Sequence, residues 1–166
     1  MIGGLAVQRW GQPRETVDVD LTLMTGFGSE EPFIQALLKR FPGRIADAAG
    51  FARTNWVLLL RSDTGVGIDV ALGGLRFEET VVSRATRFEF PGDTPLLTCS
   101  AEDLIVLKAF AARGQDWVDI EGVIVRQTGR RLDWTYIDEQ LGPLAALKEA
   151  PEILTQLARR RTEFEQ

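Results

Sequence analysis

Histidine is absent from the 166 residues of the chain, and Cys99 is the only cysteine. Without histidine, Ser-His-Asp and Cys-His catalysis, a histidine general base and a histidine-bound zinc ion are all excluded. A single cysteine cannot form an internal disulfide or a cysteine-based zinc site, so we interpret Cys99 as a small core residue. Any chemistry must therefore rest on carboxylates, lysines and arginines.

The chain also lacks a long apolar run and an excess of positive charge. No segment approaches the roughly 18 apolar residues that cross a bilayer, and residues 1–6 carry no signal-peptide pattern, which predicts a cytoplasmic protein without a membrane partner. The formal net charge is −5, which argues against broad electrostatic capture of nucleic acid. The basic cluster at residues 159–161 is interpreted as a solvated helix face, with contact to an RNA backbone as the alternative.

Apolar patterning predicts a mixed α/β N-terminal half. The predicted elements are a Gly-Gly turn with a short helix over residues 2–10, a strand over 16–23, a helix over 29–41, a hairpin of strands 56–61 and 66–72, and a further strand over 81–90. A strand normally precedes such a Gly-Gly turn, so we expect either further chain before Met1 or a strand supplied from elsewhere.

From residue 99 onward the pattern becomes helical. Ser100 caps a predicted helix over residues 101–113 that Gly114 ends, and further helices are predicted over 116–127, 136–141, 144–150 and 152–164. These elements predict an α+β fold with a small mixed β-sheet flanked by helices. Residues 1–98 would form the core, and residues 99–166 a helical part packed on it within a single compact unit.

Two aspartates share one face of the predicted strand over residues 16–23. Asp18 and Asp20 alternate along it, so their side chains lie roughly 6.5 Å apart and can reach one ion. Like charges at this spacing repel each other, and a divalent metal is the usual reason to tolerate them. An isolated Asp-x-Asp triplet is, however, also common on solvated edge strands, so the triplet alone does not decide.

Other features of the sequence favour a metal site over a solvated edge strand. Asp69 lies among apolar neighbours in a later strand, where an aspartate needs a partner or a metal. Upstream, Gly3 and Gly4 offer backbone N–H groups and a helix N-terminus to a triphosphate. Three carboxylates and this turn together predict a nucleoside triphosphate site with one or two metal ions that bridge phosphates.

This order of motifs resembles the DNA polymerase β-type nucleotidyltransferases, which carry a Gly-Gly or Gly-Ser turn, an Asp-x-Asp or Asp-x-Glu and a third carboxylate on a later strand. More narrowly, the chain resembles the AbiEii-type branch, which includes toxins of toxin–antitoxin and abortive-infection systems. The residues that carry the narrower resemblance are 2–6, 14–21 and 101–104, followed by Lys108, Arg113, Asp116 and Asp119. The resemblance covers about residues 2–125 and fades in the C-terminal helices.

The resemblance implies a nucleotidyltransferase fold and Mg²⁺- or Mn²⁺-assisted transfer of a nucleoside monophosphate, from a nucleoside triphosphate such as ATP to an acceptor hydroxyl. The acceptor would be RNA, including the tRNA 3′ end, or a protein, and an antitoxin would be a partner. The implied metal ligands are Asp18, Asp20 and Asp69, with Asp69 also a candidate base. The implied nucleotide contacts are Gly3, Gly4, Arg14, Lys108, Arg113 and Asp116.

Several of these residues have structural alternatives. Lys108 lies in an apolar helix from which lysine commonly extends to water. Asp116 and Asp119 suit the first turn of a helix, and Asp116 is the better capping candidate. Arg14 is equally consistent with a surface ion pair.

Two functions of different classes therefore stay open at the level of the sequence. The first is an active nucleotidyltransferase, in which the intact Asp18, Asp20 and Asp69 would bind metal. The second is a catalytically inactive relative that binds a nucleotide or a protein partner, which the abrupt start before the Gly-Gly turn favours.

Overall fold

The structure is a computed structural model that describes residues 1–129 and 132–164. Its elements follow in chain order: α1 (Gly3–Trp10), β1 (Asp18–Met24), α2 (Glu31–Arg40), α3 (Ala48–Asn55), β2 (Val57–Arg61), β3 (Gly67–Gly73), α4 (Arg76–Ser83), β4 (Thr86–Phe90), β5 (Thr94–Thr98), α5 (Ala101–Ala111), α6 (Gly114–Gln127), α7 (Trp134–Leu147) and α8 (Glu152–Phe164). The α+β class with small sheets flanked by helices is thereby confirmed.

The chain divides into two compact units. The first unit comprises Met1–Leu5 and Glu15–Thr98, and the second comprises Ala6–Arg14 with the chain from Cys99 onward. Helix α1 therefore begins in the first unit and ends in the second. Of the helical part predicted over residues 99–166, residues 130–131 and 165–166 lie outside the described chain, and its predicted packing on the core stays a prediction.

A three-stranded mixed sheet forms the centre of the first unit, with strand order β1-β3-β2. Strand β1 pairs parallel with β3, and β2 pairs antiparallel with β3 as the predicted hairpin requires. One face of this sheet is apolar, because Leu58, Leu60, Val70 and Leu72 are buried against Ile34 of α2. Since side chains alternate along a strand, the polar residues of β1 and β3 are left on the opposite face.

The second unit is built from helices around its own apolar core. The largest of its fully buried side chains are Leu104, Ile105, Val106, Ile120, Ile124, Ile137, Leu141 and Ile153. Ser100 caps α5 as predicted, since its Oγ accepts the backbone N–H of Asp103 at 3.1 Å. Cys99 is 1% exposed, and burial, followed by the charge of Asp103, raises the pKa of its thiol to about 12, which fits a core residue rather than a nucleophile.

The structure corrects some predicted boundaries in the first unit. Residues 81–83, predicted as strand, end helix α4, whose Phe77 and Val81 are buried one helical turn apart. Residues 94–98, for which no helix or strand was predicted, form strand β5, because Pro95 is tolerated in a two-stranded sheet in which each strand has an edge without a partner. Helix α3 was not predicted, because its short sequence shows no clear apolar period.

Two further corrections concern the helices of the second unit. Gly114 begins α6 and does not end α5, which closes at Ala112 in the left-handed conformation with φ 59°. The helices predicted over residues 136–141 and 144–150 are replaced by the single helix α7, which runs through Pro143. Burial of Ile137, Leu141 and Leu144 along one face offsets the cost of an interior proline.

Within the described residues, no helix combines the length and the apolar character needed to cross a membrane.

Candidate active site

The parallel pairing of β1 and β3 brings the three predicted metal-binding aspartates of the first unit together. Asp20 lies opposite Asp69 in the register, and Asp18 lies opposite Gly67. Residues in register on neighbouring parallel strands point to the same face and lie about 4.8 Å apart. The three carboxylates therefore share the polar face of the sheet.

Arg44 binds two of these carboxylates at once. Its Nη1 donates to Asp18 Oδ1 at 3.1 Å, while its Nη2 donates to Asp69 Oδ2 at 2.9 Å and lies 2.7 Å from Asp69 Oδ1. The side chains are partly exposed, at 25% for Arg44, 37% for Asp18 and 25% for Asp69. A guanidinium is planar and carries five donors, so it suits a position between two carboxylates.

The backbone around Arg44 is fixed to the edge of the sheet. Its N–H donates to Leu59 O at 2.9 Å, and Gly43 forms an isolated antiparallel bridge with Leu60. Across the sheet, a side chain at Gly67 would collide with both the Asp18 carboxylate and the Arg44 guanidinium. Glycine at this position therefore makes room for the ion pair.

Asp20 faces the start of helix α1. Gly3 has φ 61°, and a Cβ there would collide with the Asp20 carboxylate, so both the backbone conformation and the close approach require glycine. The backbone N–H of Gly4 donates to Asp20 Oδ2 over a long 3.4 Å, and the N–H of Ile2 donates to Asp20 O at 3.0 Å. The turn at Gly3 and Gly4, predicted to bind a triphosphate, thus lies beside the carboxylates, and the N–H of Gly4 is directed to one of them.

The carboxylate oxygens fit Mg²⁺ by their chemistry, because Mg²⁺ prefers hard oxygen ligands. Asp69 Oδ1 is buried, and within the described chain it accepts no hydrogen bond; its contact with Arg44 is an ion pair without hydrogen-bond geometry. Such an oxygen suits a metal ligand. Within the described residues, no group of three carboxylate, cysteine or histidine side chains has the arrangement of a metal site. In this structure the guanidinium of Arg44 supplies the positive charge between Asp18 and Asp69.

A second charged cluster lies in the helical unit around Lys108. Its Nζ lies 3.0 Å from Asp116 Oδ1 and 2.7 Å from Asp119 Oδ2. All three side chains are buried, at 7%, 2% and 3% exposure respectively. The alternative in which Lys108 extends to water is therefore wrong for this structure, and its predicted phosphate contact stays a prediction.

The two arginines predicted as nucleotide contacts also bind this cluster. Arg14 forms a two-point ion pair with Asp119, with distances of 2.9 and 3.0 Å. Arg113 donates to Asp116 from its side chain at 2.7 Å and from its backbone N–H at 3.2 Å, so Asp116 caps the start of α6. The nucleotide roles of Arg14, Arg113 and Asp116 stay predictions.

The pKa of Asp119 reflects a balance of burial and hydrogen bonds. Burial alone raises its pKa, but hydrogen bonds from Arg14, Lys108 and Gln115 outweigh that effect, and the pKa falls to about 2. The same balance of burial against Arg113 and Lys108 lowers the pKa of Asp116. Both aspartates are therefore ionised at neutral pH.

Comparison with solved structures finds several chains that are similar to this one. Over 95% of its length the chain is similar to 82% of an antigenic nucleotidyltransferase-like protein from Paracoccidioides brasiliensis, with 18% sequence identity and a TM-score of 0.47. No protein-family model and no curated protein sequence matches the chain. The narrower resemblance to the AbiEii-type branch stays a prediction.

Sequence reasoning missed Arg44. The residue follows Pro42-Gly43 in the connection between α2 and α3, where a single arginine is unremarkable. The available signal was indirect: two carboxylates on neighbouring strands require a nearby positive charge, and only the folded chain shows which residue supplies it.

Proposed function

We propose that the chain is a Mg²⁺-dependent nucleotidyltransferase that transfers a nucleoside monophosphate from a nucleoside triphosphate to an acceptor hydroxyl. The observation that carries this proposal is the parallel register of β1 and β3. It collects Asp18, Asp20 and Asp69 on one face, and Asp20 approaches the start of α1 at Gly3 and Gly4. The motif order of the sequence supports the same assignment.

Each group has a separate task in the proposed site. Asp18, Asp20 and Asp69 would hold Mg²⁺ or Mn²⁺, which when bound neutralises charge on the phosphate oxygens. The backbone N–H groups of Gly3 and Gly4, at a helix N-terminus, favour an anion such as a phosphate. Asp69 is the candidate base, because its buried Oδ1 accepts no hydrogen bond within the described residues.

The proposed reaction is a displacement at the α-phosphorus. The acceptor oxygen forms a bond to that phosphorus, and the bond from the phosphorus to the oxygen bridging it to the β-phosphate breaks. Pyrophosphate leaves with the electron pair, and the acceptor proton passes to Asp69. The resemblance of the sequence suggests RNA, including the tRNA 3′ end, or a protein as the acceptor. It also suggests a toxin role with an antitoxin partner.

The test is calorimetry with each nonhydrolysable nucleoside triphosphate and Mg²⁺, followed by transfer of labelled nucleotide to tRNA and protein. Asp18→Asn/Asp20→Asn should abolish both metal-dependent binding and transfer. Asp63→Asn is the matched control, because Asp63 is exposed in the turn between β2 and β3 of the same unit. Equal nucleotide binding by the wild type and the double variant, or no binding by either, would contradict the proposal.

A second candidate is a catalytically inactive module that binds a nucleotide or a protein partner. The ion pairs of Arg44 favour it, because Asp18 and Asp69 already have a cation without a metal. This candidate predicts either nucleotide binding that does not depend on Mg²⁺ or no nucleotide binding, and in both cases no transfer to any acceptor. The same calorimetry and labelling experiments distinguish the two.

A further inference from the structure

We infer that Arg44 is an intrinsic counter-cation, which holds Asp18 and Asp69 together without metal and is displaced when a divalent cation binds. The inference rests on the proposed function, because it concerns the same carboxylates. Arg44 and a metal ion compete for the same oxygens, since both contacts of the guanidinium are to predicted metal ligands. A metal ion that is held by these oxygens therefore excludes the guanidinium from them.

Electrostatics explains why a cation is needed at this position. Two carboxylates on neighbouring strands repel each other, and the repulsion opposes the β1–β3 pairing unless a positive charge lies near them. Arg44 supplies that charge at 3.1 Å from Asp18 and 2.7 Å from Asp69. The sheet can thus form without metal.

Partial exposure makes the ion pair exchangeable. With a quarter or more of each side chain accessible to water, the guanidinium and the carboxylates can be solvated while they separate. An ion pair that water reaches is weaker than a buried one and more sensitive to competing ions. A divalent cation interacts more strongly with two carboxylates than a guanidinium does, because it carries twice the charge on a smaller ion.

Displacement of the guanidinium requires a side-chain rotation only. The backbone of Arg44 stays paired with Leu59, and the residue lines a cavity of about 480 Å³ together with Leu38, Gly43 and residues 45–49. The cavity gives the guanidinium space away from the carboxylates.

Mn²⁺ binding to the full chain, measured by the loss of the free-ion signal in electron paramagnetic resonance, tests the inference. Arg44→Gln removes the competing charge, so it should bind Mn²⁺ about tenfold more tightly than the wild type. Arg53→Gln is the matched control. Arg53 belongs to the same unit, and Arg53→Gln removes the same single positive charge. The guanidinium of Arg53 forms an ion pair at 2.8 Å with Glu31 and contacts none of the three aspartates.

Two further measurements extend the test, and the first of them keeps the inference testable if Arg44→Gln is poorly folded. In the wild type, addition of Mg²⁺ should shift the guanidinium ¹⁵N resonances of Arg44, assigned through Arg44→Lys, and leave those of Arg53 unchanged. The Arg44→Gln/Asp69→Asn variant should lose the gain in Mn²⁺ affinity, because one of the two competed carboxylates is gone.

The outcomes separate this inference from the proposed function. Equal or weaker Mn²⁺ binding by Arg44→Gln, with a wild type that binds Mn²⁺ and transfers nucleotide, would overturn the inference alone. A tenfold gain specific to Arg44→Gln without any nucleotide transfer would support the inference and overturn the proposed function. Absence of Mn²⁺ binding in every variant would overturn both.

Discussion

The two units each contain acidic side chains neutralised by a basic one, and they differ in access to water. In the first unit Arg44 binds Asp18 and Asp69, whose side chains are 37% and 25% exposed. In the second unit Lys108 binds Asp116 and Asp119, which are 2% and 3% exposed. The distances are alike, between 2.7 and 3.1 Å in both clusters.

This difference indicates that similar ion pairs serve different purposes. A partly exposed pair exchanges readily, because water solvates each charge when the partner leaves. A buried pair is not exchanged without cost, because removal of one partner leaves an uncompensated charge in the interior. We therefore expect substitutions of the carboxylates around Arg44 to affect chemistry. Substitutions in the buried cluster around Lys108 should affect stability.

The largest expected effect is on transfer in the first unit. Asp69→Asn should lower the rate of nucleotide transfer by about four orders of magnitude, because it removes a proposed metal ligand and the candidate base. The free energy of unfolding should change by no more than about 1 kcal/mol. Single-turnover kinetics and urea unfolding measure the two quantities. If Asp69→Asn lost stability as well as activity while Asp63→Asn lost neither, the expected contrast between the two units would be wrong.

The next largest effect is on stability in the second unit. Lys108→Met should lower the free energy of unfolding by about 3–5 kcal/mol, because Asp116 and Asp119 would lose a buried cation. Urea unfolding measures it. Lys39→Met is the control, since Lys39 is exposed, and it should change stability by less than about 0.5 kcal/mol. A similar small change for both variants would show that the buried cluster is not structural.

The pH dependence of stability should show the contribution of the Asp119 carboxylate. Its pKa of about 2 lies below the usual unfolded value near 3.9, so its stabilising contribution is present above about pH 4 and is lost as the pH falls toward 2. The contribution is about 2 kcal/mol. Asp119→Asn should therefore lose less stability than the wild type between pH 5 and pH 2, measured by urea unfolding at each pH. The control is Asp138→Asn, because Asp138 is exposed. If the free energy of unfolding of Asp119→Asn fell with pH as steeply as that of the wild type, the assignment to Asp119 would be wrong.

The smallest effects should be equal in the two units. Asp47→Ala removes the side chain that accepts the N–H of Gly50 at the start of α3, and Ser100→Ala removes the one that accepts the N–H of Asp103 at the start of α5. Each should cost about 1 kcal/mol, because a helix cap is local. Thermal unfolding measures both. Unequal losses of stability would mean that one unit is more easily destabilised than the other by any substitution. The stability changes expected for Asp69→Asn and Lys108→Met would then have to be compared within each unit.

Local signals of the sequence predicted much of the fold. The strand that carries Asp18 and Asp20 and the cap at Ser100 depend on neighbouring residues, and both occur in the structure. The continuous helix through Pro143 and the strand through Pro95 were not predicted, because burial and an unpaired strand edge outweigh the intrinsic preference of proline.

The amino-acid sequence by itself determined the chemistry available to this protein. The absence of histidine leaves carboxylates as the principal metal ligands, and the period of a strand places Asp18 and Asp20 on one face. Only the tertiary structure decided which charges meet. The register that sets Asp20 beside Asp69, and the approach of Arg44 to Asp18 and Asp69 from a connection about 25 residues away along the chain, arise from long-range pairing that no local pattern encodes.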